Sequence, residues 1–381
     1  QFGSIPEEGS TVLEHAFSEE EVVAALKSCK GDKAPGPDGF SLAFFHHCWE
    51  VIKEDILAVF HHFHENGSFE RSLNVTFIAL VPKKMGANDI RDYRPISLVE
   101  GVYKLIAKVL SNNMKTMLPF IISANQNAFV GGRQILDAAL VANKCIDERR
   151  KKSSAGLVCK LDIQKAYDHV NWQFLIYLLR RMGFGEKWCK WIEWCYSIAS
   201  FSVLVNGTSR GFFNASRGLR QGDPLSPFLF VVVMEALSRL LSRAVESGML
   251  EGFEVAGRGG TGLTISHLLF ADDAIVFCGP VERQLRYLRC VLMCFEAVSG
   301  LKVNLSKCEL LPVGEIRDLD FLSWTLGCKI GTFPAVYLGL PLGAYSKSKS
   351  IWDVVIERFQ RRLMGWKSNY LSKEGKITLI K

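Results

Sequence analysis

The chain has 381 residues, 48% of them hydrophobic and 22% charged, and a formal net charge of +7. That composition excludes a disordered polypeptide and leaves room for two or three compact subdomains around a sizeable core. The positive balance suits a polyanion partner without requiring one. No membrane span is expected, because the longest apolar runs, such as residues 228–237 with Glu235 inside, fall well short of the ~20 residues a bilayer needs.

In chain order, Phe17-Ser18-Glu19-Glu20-Glu21-Val22 opens a helix, with Ser18 as cap, Glu21 returning the bond and Phe17 stapled onto Val22. It should end near Gly31, where residues 30–39 are too rich in Pro and Gly to stay regular. A second helix is predicted over 42–65. Residues 75–82 read as a strand and 92–97 as its return, a hairpin carrying Lys83, Lys84 and Arg94. Helical spacing over 102–118 stops at Pro119, and another helix covers 135–150. Ser153-Ser154-Ala155-Gly156 turns into a strand over 157–163, and a helix follows over 172–183. Strands over 201–205 and 211–215 flank the turn Asn206-Gly207. Ser226-Pro227 caps and opens a buried helix that runs to about Glu246. A further helix is predicted over 281–299, short strands at 301–304, 309–313 and 335–340, and a last helix from near Ser350. Helix and strand do not alternate strictly and hairpins recur, which argues for an α+β fold rather than a doubly wound sheet.

Eleven cysteines are scattered, mostly in apolar runs (Cys159, Cys278, Cys290, Cys294), the pattern of reduced thiols packed in a core. No CxxC pair with following histidines suggests zinc. Basic clusters occur at Arg149-Arg150-Lys151-Lys152, Arg180-Arg181, Lys187 with Lys190, and Arg361-Arg362, some interleaved with Trp188, Trp191 and Trp194. Each reads first as a solvated helix face. The sequence opens at Gln1 and stops at Ile380-Lys381 inside an apolar pattern, as a piece of a longer protein would.

The chemistry concentrates at His267-Leu268-Leu269-Phe270-Ala271-Asp272-Asp273-Ala274-Ile275-Val276-Phe277, two apolar runs meeting at adjacent acids. Strand-forming residues on both sides make the acids the tip of a β-hairpin. Lys160-Leu161-Asp162-Ile163 ends another apolar run on a third acid. Carboxylates at such a tip repel one another unless a cation lies between them. Oxygen-only ligands suit Mg²⁺, and two such ions about 3.5–4 Å apart serve phosphoryl and nucleotidyl transfer.

Six strings in order then resemble the reverse transcriptase of non-LTR retrotransposons, the LINE class, and most of all its plant elements. They are Lys33-Ala34-Pro35-Gly36-Pro37-Asp38-Gly39, Asp92-Tyr93-Arg94-Pro95-Ile96-Ser97-Leu98, Leu161-Asp162-Ile163-Gln164-Lys165-Ala166-Tyr167-Asp168, Arg217-Gly218-Leu219-Arg220-Gln221-Gly222-Asp223-Pro224-Leu225-Ser226-Pro227, Phe270-Ala271-Asp272-Asp273 and Tyr337-Leu338-Gly339-Leu340-Pro341-Leu342-Gly343. The resemblance implies a right-hand polymerase with fingers, an antiparallel-sheet palm and the start of a thumb. It implies an N-terminal extension with a template-contacting loop over 1–63, the reverse transcriptase domain over 64–343 and a truncated thumb over 344–381.

By the same resemblance Asp162, Asp272 and Asp273 are the catalytic acids, holding two Mg²⁺ (or Mn²⁺) ions with help from the Ile163 carbonyl. Lys83, Lys84, Arg94, Tyr167, Gln221 and Lys307 are implied to contact the dNTP: the cations grip the triphosphate, Tyr167 lies beneath the sugar and excludes a 2′-hydroxyl, Gln221 lines the base pair, and Lys307 protonates the departing pyrophosphate. Gly218 and Gly222 are implied to let backbone approach substrate, while Asp223 reads as structural. Lys33, Pro35, Gly36, Asp38, Arg133, Gly222, Leu338 and Gly339 are implied at the template and primer. The implied partners are an RNA template, a DNA or RNA primer and dNTPs, with an endonuclease and C-terminal segments elsewhere in a parent polyprotein and residence in nucleus and cytoplasm. The rivals are a group II intron-type reverse transcriptase and an inactive relic that only binds RNA.

Overall fold

Alternating and continuous apolar runs build strands in this chain, and their pairing places everything else. The computed structural model describes residues 2–256, 262–344 and 352–363. Its strands are β1 (Val75–Pro82), β2 (Tyr93–Val99), β3 (Gly156–Gln164), β4 (Ser200–Val205), β5 (Thr208–Asn214), β6 (Phe253–Ala256) and β7 (Gly262–Ile265). They continue as β8 (His267–Phe270), β9 (Asp273–Cys278), β10 (Lys302–Val303), β11 (Glu309–Val313), β12 (Lys329–Ile330), β13 (Ala335–Tyr337) and β14 (Leu340–Leu342).

One sheet has the order β2-β1-β4-β5, antiparallel except where β1 meets β4. A second runs β12-β11-β3-β9-β8 with β10 also on β3, antiparallel except at β11–β12. Two hairpins, β6–β7 and β13–β14, complete the strands. The fold is α+β, as expected.

The helix Ser226–Glu246 is apolar almost all round over residues 229–237 because that stretch is enclosed on every side, while Arg243 and Glu246 at its end are exposed. Val231, Val232, Val233 and Met234 are fully buried, and the helix packs on β8 and on the helices Gly101–Ile121, Trp172–Arg181 and Glu282–Ser299. Glu235, in its middle, is wholly buried and accepts from the Ser123 N–H (3.0 Å), the Ser123 hydroxyl (2.9 Å) and Arg239 Nε (2.6 Å). A buried carboxylate is tolerated on such terms. One turn on, Ser238 meets His267 Nε2 at 2.8 Å, Asn125 Nδ2 donates to the same nitrogen at 3.0 Å, and Ser266 Oγ sits 2.9 Å from Nδ1.

Several elements depart from expectation. The predicted helix over 42–65 is two, Leu42–His47 and Trp49–Asn66, broken at Cys48. Pro119 does not stop its helix, which runs to Ile121, since a proline in the last turn removes one bond and the Ile122 N–H still reaches the Leu118 carbonyl. Ser226 is the first helical residue rather than the cap, and Asp223 Oδ1 instead takes the Leu225 N–H at 2.8 Å. Helices Glu186–Ser197 and Leu319–Leu326 and the β6–β7 hairpin were not foreseen.

Trp188 and Trp191 are core residues, not a nucleic-acid face. Ser18 and Glu21 form the expected capping box, while the Phe17 ring lies against Phe60 and Trp191. Cys290 and Cys294 are exposed, because helical spacing sets them with Met293 on the outward face of Glu282–Ser299. The last described helix is Asp353–Leu363, and the remainder of the expected thumb, with Ser350, lies outside the described residues. Among the described residues no helix is long and apolar enough to cross a membrane.

Burial pushes the His267 pKa down to about 3. The unfolded chain therefore takes up a proton near its ordinary value of 6.5 that the folded chain refuses until about 3. His267 thus lowers stability as pH falls through that window, by up to about 1.4 kcal/mol per pH unit. Urea unfolding at about pH 7 and about pH 5 should show a smaller loss in His267→Gln than in the parent; equal losses would remove His267 from the account.

Candidate active site

β3 runs outward through an apolar stretch and β9 returns beside it, with Leu157 opposite Cys278 and Leu161 opposite Ala274. The same register sets Asp162 opposite Asp273. Directly opposed residues of an antiparallel pair share a face, with Cβ atoms roughly 4.5–5.5 Å apart. β8 and β9 close with Phe270 opposite Asp273, leaving Ala271 and Asp272 as the turn. Ala271 has φ 53°, a left-handed conformation that costs a residue with a Cβ about 1 kcal/mol or more. The Asp162 N–H donates to Cys308 Sγ at 3.3 Å, and its carbonyl accepts from the Asn304 N–H at 2.8 Å, so the 304–308 turn fixes that residue from behind.

Asp272 and Asp273 open to solvent on one side and lie against protein on the other. The loss of water raises both carboxyl pKa values; Asp162 adds to the rise at each, and Asp272 adds to it at Asp273. Arg94 pulls Asp272 back down and Lys160 does the same at Asp273, without reversing either direction. Lys160 itself pairs with Glu309 at 3.6 Å. Among the described residues no cation is ion-paired with any of the three acids, and no three ligating side chains are drawn together on one point. Oxygen donors facing one another without a counter-charge fit a hard divalent cation.

Tyr167, on the turn after β3, stacks on Phe230 with ring centroids 4.9 Å apart. Burial, with Asp272 second, pushes its hydroxyl up to about 12. The Tyr167 carbonyl takes the Leu219 N–H at 2.6 Å, which joins that turn to the 217–222 segment. In turn the Gln221 carbonyl takes the Ser97 N–H at 2.8 Å, joining the segment to β2. A Cβ at Gly218 would meet the Asp168 carbonyl oxygen at 2.6 Å, and one at Gly222 (φ 111°) the Ser97 carbonyl oxygen at 3.0 Å. These two glycines therefore admit neighbouring protein backbone, not substrate.

Arg94 stands exposed on β2 opposite Val81, within electrostatic reach of Asp272. The four-stranded sheet thus brings a positive charge toward the acids. A family model described as "Reverse transcriptase (RNA-dependent DNA polymerase)" matches residues 81–342, more than half of the chain. The chain belongs to that family.

This reverse transcriptase is similar to an uncharacterized 149 kDa protein of transposon TX1 from Xenopus laevis, 28% identical over 97% of this chain and 28% of that protein. It is similar to a retrovirus-related Pol polyprotein from type-1 retrotransposable element R2 of Nasonia vitripennis, 28% identical over 78% of this chain and 27% of the polyprotein. An uncharacterized mitochondrial protein of Arabidopsis thaliana is 49% identical over 80 residues, 20% of this chain and 63% of that protein. The chain spans little more than a quarter of the length of the first two. The resemblance to non-LTR retrotransposon reverse transcriptases is borne out.

At the reverse transcriptase's periphery the predicted residues divide. Lys83 Nζ donates to the Arg91 carbonyl at 2.8 Å and Lys84 Nζ pairs with Asp92 at 2.9 Å, so both lysines lie along their own hairpin. Lys307 is exposed one residue before Cys308, the partner of Asp162. Ile163 is buried in β3 opposite Val303. The β13–β14 hairpin, with Leu338 and Gly339 at its tip, is tied to the helix Ile135–Lys151 through Asn143, which donates to the Pro341 carbonyl (3.1 Å) and accepts from the Gly343 N–H (2.8 Å). Its buried Tyr337 is raised by burial and then by Asp273, which sets the hairpin beside the acids.

Lys33 and Pro35 are exposed, whereas Gly36 lies against Val99, whose carbonyl a Cβ there would meet at 2.5 Å. Two predicted template contacts turn inward. Asp38 accepts from the Gly101 N–H at 2.8 Å at the start of the helix Gly101–Ile121, so its carboxylate serves the fold. Arg133 donates to the carbonyls of Ile122, Ser123 and Gln126, which gives the acceptors of that turn a donor that exposed phosphate contact would withdraw.

Asp223 is structural, as expected. It is buried, accepts from the Tyr103 hydroxyl at 2.6 Å and pairs with Arg220 at 2.8 Å. Arg220 also donates to Asn74, Thr76 and the Cys195 carbonyl and lies 4.0 Å over the Tyr103 ring, which fastens the segment beneath Gln221 to β1 and to two helices. Removing one partner strands a buried charge. Arg220→Met should therefore destabilise the chain by about 3–5 kcal/mol in urea; a loss under about 1 kcal/mol would show the pair to be dispensable.

Proposed function

We propose that this chain performs two-metal nucleotidyl transfer, adding deoxynucleotides to a DNA or RNA primer 3′-hydroxyl on an RNA template, with Asp162, Asp272 and Asp273 as the metal-holding acids. The observation that carries the reading is the register that opposes Asp162 to Asp273 beside Asp272, with no cation paired to any of them among the described residues. The Ile163 carbonyl offers a further oxygen. Two Mg²⁺ ions, or Mn²⁺ in their place, would neutralise the triphosphate and favour the ionised primer hydroxyl when bound.

The chain's own residues do the rest. Arg94 gives fixed positive charge where phosphate charge develops. Lys83 and Lys84 join it by exchanging the Arg91 carbonyl and Asp92 for phosphate oxygens. Tyr167, held flat by Phe230, offers a ring face that a 2′-hydroxyl would strike. Gln221, its backbone anchored to Ser97, lines the base pair. Lys307 Nζ stands to give a proton to the departing pyrophosphate. Leu338 and Gly339 at the β13–β14 tip direct the primer end, and Lys33 and Pro35 border the template path with Gly36 and Gly222 allowing close backbone packing behind it. Residues 1–63 then form an extension, 64–343 the polymerase domain and 344–381 the start of a thumb. An endonuclease and C-terminal segments would come from a parent polyprotein, since the retrotransposon relatives are far longer.

Two measurements test this. With a DNA primer on an RNA template, dNTPs and Mg²⁺, the parent should incorporate nucleotide and Asp272→Ala should lose at least about 100-fold in rate. Template binding without incorporation would instead favour an RNA-binding relic. Tyr167→Ala should admit ribonucleotides, raising their incorporation relative to dNTPs by about 10-fold or more; undiminished discrimination would move the gate elsewhere.

A further inference from the structure

The hairpin that carries Asp272 and Asp273 sits at an edge of the six-stranded sheet, since β8 has a strand neighbour on one side only. Its turn residue Ala271 is left-handed and buried. An edge hairpin with a strained turn needs holding if its carboxylates are to keep a fixed aim.

The hold comes from one side chain. Gln126, fully buried, directs Oε1 at the Ala271 N–H at 3.0 Å and at the Ala128 N–H at 3.0 Å. Two backbone donors converge on that atom, so it must be the amide oxygen. Around it the backbone of 125–127 runs beside β8 as a short parallel partner: the Leu269 N–H donates to the Asn125 carbonyl (2.8 Å), and the Asn127 N–H to the Leu269 carbonyl (2.9 Å). That segment is itself clamped, by Arg133 on the carbonyls of Ile122, Ser123 and Gln126 and by Glu235 on Ser123. The amide nitrogen Nε2 of Gln126 has no partner among the described residues, so the oxygen alone carries the interaction.

We infer that Gln126 is a positioning residue for the catalytic turn, its amide oxygen fixing the Ala271 N–H so that Asp272 and Asp273 are aimed at Asp162. This rests on the polymerase reading for its kinetic consequence, but the geometric consequence is independent of it. Gln126 touches neither substrate nor acid; it acts through one peptide unit.

Gln126→Met keeps the size and removes the acceptor, and Gln126→Glu keeps the acceptor while exchanging the unpartnered nitrogen for a second carboxyl oxygen, which burial holds protonated. In single-nucleotide extension, Gln126→Met should lower kcat about 100-fold, the scale of a misplacement near 1 Å, with KM for dNTP and affinity for the primer–template duplex within about threefold of the parent. Gln126→Glu should recover most of that kcat. Amide exchange in the peptide over 268–273 should quicken in Gln126→Met and return toward the parent rate in Gln126→Glu, with little change in urea midpoint. A parent that incorporates nothing overturns the polymerase reading, while the exchange result still decides the brace. Unchanged exchange in Gln126→Met overturns the inference. So does a Glu variant as slow as the Met variant, or a fall of kcat, duplex affinity and urea midpoint together, since each would make Gln126 a residue of the fold at large.

Discussion

The antiparallel pairing of β3 with β9 is the constraint from which the rest follows, because it forces Asp162 to face Asp273. Two carboxylates about 5 Å apart repel by roughly 3 kcal/mol at an effective dielectric of about 20. Against that stand Leu157, Val158, Leu161, Ile275, Val276 and Phe277, all buried in the same two strands, each stabilising by about 1.5–3 kcal/mol. The apolar part of the pair wins comfortably, so the sheet can present a concentration of negative charge that the acids would not adopt by themselves. Burial first, and then the neighbouring carboxylates, raise the pKa values of Asp272 and Asp273.

Three of the seven non-glycine residues with left-handed backbone among the described residues adjoin the same strands and turns. Lys165 (φ 45°) follows β3, Ala271 (φ 53°) precedes Asp272, and Leu338 (φ 52°) forms the tip of the hairpin whose Tyr337 feels Asp273. Such residues persist only where the surroundings hold them. Here the surroundings are buried polar clusters: Gln126 with Arg133 behind the catalytic turn, and Tyr103, Asp223 and Arg220 beneath the 217–222 segment. Each cluster joins parts of the chain about a hundred residues or more apart.

Much of this was legible along the chain. The capping box at Ser18, the Asn206-Gly207 hairpin, the strand over 75–82 and the acidic hairpin rest on local chemistry, and local chemistry is what a sequence displays. The three acids proposed to hold metal stood out because no packing argument accounts for adjacent aspartates between two strands. Arg133 and Asp38 misled for the complementary reason: a charged residue in a polar loop looks like a contact for phosphate, and only the path of the neighbouring backbone reveals carbonyls or helix N–H groups waiting for it. Trp188 and Trp191 sat among lysines and arginines, yet a helix turns one face inward, and that face held the tryptophans.

The sequence by itself determined the fold class, the family and the three acids, since these depend on residue type, period and order. Tertiary structure alone decided the opposition of Asp162 to Asp273, the electrostatic reach of Arg94 to Asp272, and the hydrogen bonds of Gln126. The reason is physical: a glutamine amide has no preference for a turn some 145 residues away, and it acquires one only when the chain between them has folded and left an Ala271 N–H with no other partner to take.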